Sequence, residues 1–175
     1  MKKVLLALLL VLSMTFIVAC EDSTPTKVDD NDQSQETSSE EETPAAENFE
    51  IGDKVEIGGI NITVNSVRWD EGAEFFGPDE GEKWLAIDVT LENTKDESAN
   101  VSSMLMFDLY DEDNYKRDLA LSTTTEGSLD GELGAGRSMR GEIAFSVKEG
   151  QNNFEFIFEP NVFGNGQAIF DIEIE

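Results

Sequence analysis

The chain has 175 residues, 39% of them hydrophobic, so it can bury one domain core and is not disordered throughout. Its formal net charge of -26 excludes nucleic acid as a partner, because binding phosphates requires clustered Lys and Arg side chains. The chain contains no His and a single Cys. This excludes an internal disulfide, Ser-His-Asp or Cys-His catalysis and His-ligated zinc.

The first 19 residues have the pattern of an export signal. Lys2 and Lys3 form a short positive start, and the apolar stretch 4–18 follows. This stretch is too short for a comfortable transmembrane helix and is followed directly by a polar tract. We therefore predict a signal peptide over residues 1–19.

Residues 17–20, with the sequence IVAC, resemble the lipobox of bacterial lipoproteins, in which an aliphatic residue and a small residue precede the Cys. The resemblance implies cleavage before Cys20 and a diacylglyceryl thioether on its sulfur. A protein with two or more acyl chains is stably anchored in a membrane. The expected location is therefore the extracytoplasmic face of the cell membrane, with the membrane as the partner of the lipid anchor.

The segment after Cys20 is polar and acidic. Between residues 21 and 50 the sequence contains 11 acidic residues, one Lys and almost no large apolar side chain. Such a segment cannot bury enough surface to offset the entropy lost on ordering. We predict that residues 20–50, including the lipidated Cys20, form a disordered acidic linker that tethers a domain spanning residues 51–175.

The domain has the sequence pattern of an all-β fold. In the clearest run, 84–93, Leu85, Ile87, Val89 and Leu91 alternate with Ala86 and polar residues, which predicts a strand with one buried and one wet face. Further strands are predicted at residues 54–57, 60–69, 105–110, 139–147, 154–158 and 168–174. Turn residues separate these runs, and the pattern is typical of an antiparallel β-sandwich.

The predicted strand 60–69 changes parity along its length. Ile60, Ile62 and Val64 share one face, whereas Val67 and Trp69 share the other. One extra residue near Asn65-Ser66 would bring both groups to the same face, so we predict a β-bulge there.

Four segments taken together resemble one bacterial lipoprotein family. They are IGDKVEIGGINITVNSVRW, GEKWLAIDVTLENT, MFDLYDEDNYKRD and GELGAGRSMRGEIAFSV, and they span most of residues 51–175. Their order and spacing are similar to those of the family named domain of unknown function 4352. The resemblance implies an immunoglobulin-like antiparallel β-sandwich, related in fold to a secreted mycobacterial immunoprotective antigen. It implies no activity, no cofactor and no functional residue.

Two groups of residues are candidate sites. Asp111, Asp113 and Asn114 place oxygen ligands in one hairpin turn, which suits a hard cation such as calcium, but a solvated turn explains the same residues. Trp69, Phe75 and Phe76 lie in or beside one loop and are candidates for ligand binding, unless they cover an open end of the core.

These observations favour a non-catalytic module that is membrane-anchored, extracytoplasmic and binds another envelope protein or a small ligand. Two alternatives stay open. One is an envelope module that depends on calcium, and the other is a hydrolase that uses a pair of carboxylates. The abundance of acidic residues makes any chosen carboxylate pair uninformative.

Overall fold

The structure is a computed structural model that describes residues 24–28, 48–161, 164 and 166–175. The predicted signal peptide, Cys20 and most of the predicted linker lie outside these residues. In chain order the elements are β1 (Thr26–Lys27), β2 (Lys54–Ile57), β3 (Ile60–Asp70), β4 (Glu82–Asn93), β5 (Ala99–Val101), the helical turn α1 (Ser103–Met106), β6 (Phe107–Asp111), β7 (Lys116–Leu119), β8 (Gly131–Leu133), β9 (Ser138–Lys148), β10 (Asn153–Phe158) and β11 (Ala168–Glu173).

The strands form two packed layers. Nine of them pair in the order β1-β2-β3-β4-β9-β7-β6-β10-β11, and β5 pairs with β8 separately. The strand β7 pairs with β9 in one layer and with β6 in the other, so the continuous ladder folds over at β7. Phe145 of β9 contacts Phe156 of β10 ring to ring at 6.1 Å, so the apolar faces of the two layers meet. The predicted antiparallel β-sandwich is confirmed.

Alternating apolar residues build the core, as the sequence pattern predicts. Leu85, Ile87, Val89 and Leu91 of β4 are all fully buried. Aromatic rings supply much of the remaining volume, since five Phe side chains are almost completely buried: Phe107, Phe145, Phe156, Phe158 and Phe170. Each contributes about 1.5–3 kcal/mol of burial free energy.

The predicted bulge in β3 is confirmed. The pairing of β3 with β4 shifts between Val64 and Ser66, so Asn65 is the extra residue. Its side-chain amide donates to Asp88 at 3.1 Å and to Thr90 at 3.0 Å on β4. These bonds fix the bulge, which returns Trp69 to the core side of the sheet.

Two local predictions differ from the structure. Ala86 of β4, expected on a wet face, is buried because residues 120–127 lie over that outer face of β3, β4 and β9. The strand predicted to begin at residue 105 begins at Phe107 instead, and Met104 and Leu105 are exposed in α1.

The N-terminal boundary also differs from the prediction. Residues 24–28, predicted as part of the disordered linker, lie along β2, where Thr26 is opposite Glu56 and Lys27 is opposite Val55. Phe49, two residues before the predicted domain start, is buried and forms a parallel bridge with Phe170 of β11. Both segments therefore cover edges of the sandwich.

The sandwich has two ends with different loops. The turn after β2, residues 94–100 and residues 159–161 lie at one end, which we call the basal end. Residues 71–81, the turn 112–115 between β6 and β7, and residues 149–152 lie at the other, which we call the apical end. All the candidate residues described below lie at or beside the apical end.

Candidate functional site

Phe75 is at the tip of a short hairpin in the loop between β3 and β4. Ala73 and Phe76 exchange two backbone hydrogen bonds, of 2.7 and 2.9 Å, so that Glu74 and Phe75 form a two-residue turn. The side chain of Phe75 is 93% exposed. The hypothesis that Phe75 covers the core is therefore wrong, and its ring is presented to solvent on a hydrogen-bonded loop.

The base of this hairpin depends on Gly72. The φ angle of Gly72 is +72°, and a Cβ atom at this position would lie 2.3 Å from the carbonyl oxygen of Phe76. Only glycine fits such a conformation with so little space. The amide of Gly72 also donates to the Asp70 carboxylate at 3.1 Å. The loop is thus fixed at its entry as well as at its tip.

Phe76 packs on the outer face of the sheet rather than on the core. Its ring lies 5.7 Å from that of Trp84 at an angle of 59°, and this contact helps to bury Trp84. Phe76 itself stays 47% exposed. Of the two loop residues predicted to bind a ligand, Phe75 is fully exposed to solvent, and Phe76 is half-exposed and packs beside it.

Trp69, the third predicted candidate, is not part of the same surface. Its ring packs against the core cluster, and its indole nitrogen donates to the carbonyl of Glu175 at 3.1 Å. The Lys83 ammonium lies 4.6 Å from the ring centroid, a cation–π contact. Trp69 and Phe76 lie on opposite faces of the sheet, so the structure does not bring the three predicted aromatics together.

A second exposed apolar residue, Leu121, lies in residues 120–127 and was not identified from the sequence. It is 80% exposed. The hydroxyls of Ser122 and Thr124 both donate to the carboxylate of Asp70, which also holds Gly72. One buried carboxylate, that of Asp70, therefore fixes both the Phe75 loop and the Leu121 loop.

An ion pair supports the same arrangement. Arg68 donates to both oxygens of Glu142 at 2.8 and 2.7 Å, and to the backbone carbonyl of Thr124 at 3.1 Å. Glu142 also accepts from the amide of Glu126 at 2.9 Å. The hydrogen bond from Arg68 lowers the pKa of Glu142. Burial works to raise the pKa of Asp70, but the hydrogen bonds from Ser122, Thr124 and the Gly72 amide, together with the charge of Arg68, lower the pKa.

The turn predicted as a calcium candidate is organised by Asp111. One carboxylate oxygen accepts from the amides of Asp113 at 3.1 Å and Tyr115 at 2.9 Å. The other accepts from the Gln151 side chain at 2.9 Å and lies 3.4 Å from a guanidinium nitrogen of Arg117. Asp111 is buried, and its oxygens are used to hold the hairpin.

These contacts favour the hairpin explanation of the turn over calcium. Burial works to raise the pKa of Asp111, yet the bonds from Gln151 and the backbone amides keep it lowered. Asp113 and Asn114 are exposed, and Asn114 adopts a φ of 60°, which suits Asn in a tight turn. Among the described residues no group of three or more acidic or Cys side chains is arranged to hold a metal ion.

Tyr115, in the same turn, adds a further exposed ring to the apical end. It is 63% exposed, and the Lys148 ammonium at the end of β9 lies 5.9 Å from its ring. The next residue, Glu149, donates its amide to the carbonyl of Gly81 at the start of β4. The turn and the Phe75 loop therefore share one end of the sandwich. We call Phe75, Phe76, Tyr115 and Leu121 the apical surface.

The part of the apical surface that Phe75 and Phe76 form is flanked by negative charge. Four exposed acidic side chains flank the two Phe residues in the loop: Glu71, Glu74, Asp79 and Glu80. The Phe pair can be predicted from the sequence because two aromatics in a polar loop are unusual. Tyr115 and Leu121 give no such signal, because single apolar residues next to turns are common on surfaces.

Cys20, the predicted lipid attachment residue, lies outside the described residues. The described part of the chain includes no helix that is long and apolar enough to span a membrane.

Two solved structures that align with a TM-score of 0.50 or above support the fold. The ycdA protein of Bacillus subtilis, described as a candidate lipoprotein, aligns at 21% identity and a TM-score of 0.55 over 65% of this chain and 36% of its own. An uncharacterized β-sandwich protein of Clostridium difficile aligns at 15% identity and a TM-score of 0.50, over 77% of this chain and 100% of its own. The secreted protein MPT63 of Mycobacterium tuberculosis aligns at 11% identity and a TM-score of 0.46, over 71% and 98%.

This chain spans about a third of the length of the ycdA protein. No curated protein sequence matches it. A family model does match, that of the domain of unknown function DUF4352, over residues 49–169. The match begins at the residue where the structure shows the core to begin, at buried Phe49. The chain therefore belongs to the DUF4352 family.

Proposed function

We propose that this protein is an exported lipoprotein, anchored through Cys20, whose apical surface binds a partner with an apolar and basic face in the cell envelope. The observation that carries the proposal is the 93% exposure of Phe75 on a loop held by backbone hydrogen bonds and by Asp70. An aromatic ring in water is unfavourable, and burying it in a partner gains about 1.5–3 kcal/mol. Because the loop is already ordered, little entropy is lost on binding.

The charge around the loop indicates the chemistry of the partner. The acidic side chains that flank Phe75 favour a face carrying Lys or Arg, and they repel anionic surfaces. A partner that is both apolar and basic would match the apical surface in both respects. Neither of the alternatives, calcium dependence and carboxylate hydrolysis, gains a specific observation from the described residues.

The anchor is tested separately from the binding surface. We expect the natural protein to sediment with the membrane fraction, with mass analysis showing a diacylglyceryl group on residue 20. Cys20→Ser should leave the chain unprocessed or move it from the membrane to soluble fractions. An unmodified Cys20 in the natural product would contradict the proposed anchoring.

The binding surface is tested in solution with a defined probe. The unlipidated chain is titrated with a helical peptide of Lys and Leu, and with a matched peptide in which Glu replaces Lys. We expect binding of the basic peptide alone, weakening as salt rises. The variant Phe75→Ser should reduce the affinity about tenfold, which corresponds to about 1.4 kcal/mol.

The control variant is Met104→Ser, which removes an apolar side chain that is 74% exposed at the basal end. It should leave the affinity unchanged. If Phe75→Ser and Met104→Ser weaken binding equally, the net charge alone attracts the peptide and the apical surface is not a binding site.

A further inference from the structure

The position of β1 limits how far the domain can lie from the lipidated residue. Thr24, which precedes β1, lines a cleft of about 760 Å³ at the basal end, together with Gly58, Gly59 and Lys95. Three residues, 21–23, separate Thr24 from Cys20. Four Cα–Cα steps span at most about 14 Å, whatever their conformation. While β1 pairs with β2, Thr24 at the edge of the basal end therefore lies within about 14 Å of Cys20.

Without this pairing the limit is much looser. The next point where the described chain meets the domain is Phe49 on β11. The 28 residues between Cys20 and Phe49 would span roughly 30 Å r.m.s. as a flexible chain. The pairing of two residues thus decides whether the domain is close to its anchor or free to move away.

We propose that β1 is a reversible clasp that holds the basal end of the sandwich against the head groups of the anchoring membrane and directs the apical surface outward. This inference rests on the acylation of Cys20 in the proposed function. The partner of the basal end is the head-group layer of the same membrane.

The contacts of β1 suit a reversible clasp. Two residues pair with β2, and the amide of Val28 donates to the carbonyl of Lys54 at 2.7 Å. The Lys27 ammonium lies 2.6 Å from the Asp53 carboxylate, with the Lys27 side chain 54% exposed. Thr26 and Lys27 are exposed and Pro25 and Val28 are half-buried, so no side chain of residues 24–28 is fully buried in the domain.

The basal end has exposed apolar residues that suit a membrane interface. Met104 and Leu105, in the helical turn α1, are 74% and 61% exposed. The turn is held at this end because the carbonyl of Met106 accepts from the amide of Glu159, next to the cleft residue Pro160. Apolar side chains of this kind insert favourably between lipid head groups.

The same geometry sets the direction of the apical surface. The strand β3 runs from Ile60 at the basal end to Asp70, beside the Phe75 loop. Eleven residues of β-strand span about 33 Å. With β1 docked, Phe75 lies on the far side of the domain from the lipid, where a partner can reach it.

The test measures energy transfer from two labelled positions to the membrane. The natural acylated protein is reconstituted in phosphatidylcholine vesicles that carry an acceptor dye on the head groups. Donor dyes are attached to single Cys variants, Asn100→Cys at the basal end or Glu80→Cys at the apical end, since the thiol of Cys20 is blocked by lipid. We expect strong transfer from residue 100 and weak transfer from residue 80.

Releasing β1 should abolish this contrast. The double variant Lys27→Glu with Val28→Pro reverses the charge facing Asp53 and removes the amide that bonds to Lys54. Transfer from residue 100 should fall about twofold or more, because the chain between Cys20 and its first contact with the domain lengthens from about 14 Å, ending at Thr24, to roughly 30 Å, ending at Phe49. Lys27→Arg, which keeps the ion pair, should behave like the unaltered chain.

The outcomes separate the clasp from the anchor. Protein that does not float with the vesicles would contradict the proposed anchoring at Cys20. Protein that floats but shows equal transfer from both labels, or no response to the double variant, would overturn the clasp and leave the anchoring intact. The variant Met104→Asp with Leu105→Asp should lower the transfer from residue 100, and unchanged transfer would overturn the contact of α1 with lipid.

Discussion

Two segments that precede β2, one at β1 and one at Phe49, cover opposite edges of the sandwich by different contacts. Phe49 is 7% exposed, its ring lies 5.7 Å from that of Phe170, and it forms two backbone bonds of 2.8 Å with β11. Thr26 and Lys27 of β1 are exposed, and the contacts of their segment with the domain include backbone pairing and the ion pair of Lys27 with Asp53. Both cover an open strand edge, which would otherwise invite pairing with other chains.

The difference shows what makes an edge segment a permanent part of a domain. Burial of an aromatic ring stabilises the folded state strongly, and this hydrophobic contribution does not depend on salt or pH. A short ladder with a surface ion pair stabilises the docked segment only slightly. The entropy lost when the segment becomes ordered opposes this stabilisation. The first edge is therefore part of the core, and the second can open without unfolding it.

The largest effect is expected when the Phe49 ring is removed, which tests whether its burial makes this edge part of the core. Phe49→Ala should lower the free energy of unfolding by about 3 kcal/mol, because the ring is buried and leaves a cavity beside Phe170. The measurement is urea denaturation of the unlipidated chain. Phe75→Ala is the matched control, and since that ring is exposed it should change the stability by less than about 0.5 kcal/mol. Equal losses in the two variants would contradict the distinction between buried and presented rings.

The sequence predicts the edge at Phe49, which is held by apolar burial, better than the edge at β1, which is held by polar contacts. Phe49 is a large apolar residue beside an acidic segment, and the pattern placed the start of the domain two residues after it. Residues 24–28 contain no such residue except Val28, so their composition indicates disorder. Their pairing depends on the free edge of β2, which appears only once the sheet has formed.

The same limit applies within the domain. Period-two patterns located the long strands and the bulge at Asn65, because these features follow from side-chain alternation. The burial of Ala86 and the role of Asp70 could not be predicted, since both depend on a loop from a distant part of the chain. Likewise, Asp111 has the composition of a metal ligand, and only the positions of its donors show that it holds a hairpin.

A smaller effect is expected from releasing β1. The double variant Lys27→Glu with Val28→Pro should lower the free energy of unfolding by less than about 1 kcal/mol, because an exposed ion pair and a short ladder contribute little. Hydrogen exchange at the Thr26 amide, which faces β2 in the ladder, should nevertheless lose its protection, while exchange within β4 stays slow. A loss of stability as large as that of Phe49→Ala would show that β1 belongs to the core.

The smallest effect concerns the pH dependence of the β1 edge. The hydrogen bond from Lys27 is the main cause that lowers the pKa of Asp53 in the folded protein. A carboxyl group whose pKa is lowered by folding stabilises the folded state above its unfolded pKa of about 3.9, and this contribution is lost as the pH falls through the folded value. Protection of the Val28 amide should therefore be constant between about pH 5 and 8 and decrease below about pH 4.

The substitution Asp53→Asn isolates this contribution. Because the amide is neutral at every pH, the variant should show weaker protection of Val28 at pH 7 and little further change on acidification. Protection of the Asp171 amide, which bonds to the carbonyl of Phe49, is the internal reference for the opposite edge. If acid weakens both edges in parallel in the unaltered chain and in the variant, global unfolding is the cause, and the ion pair of Lys27 with Asp53 does not govern the β1 edge.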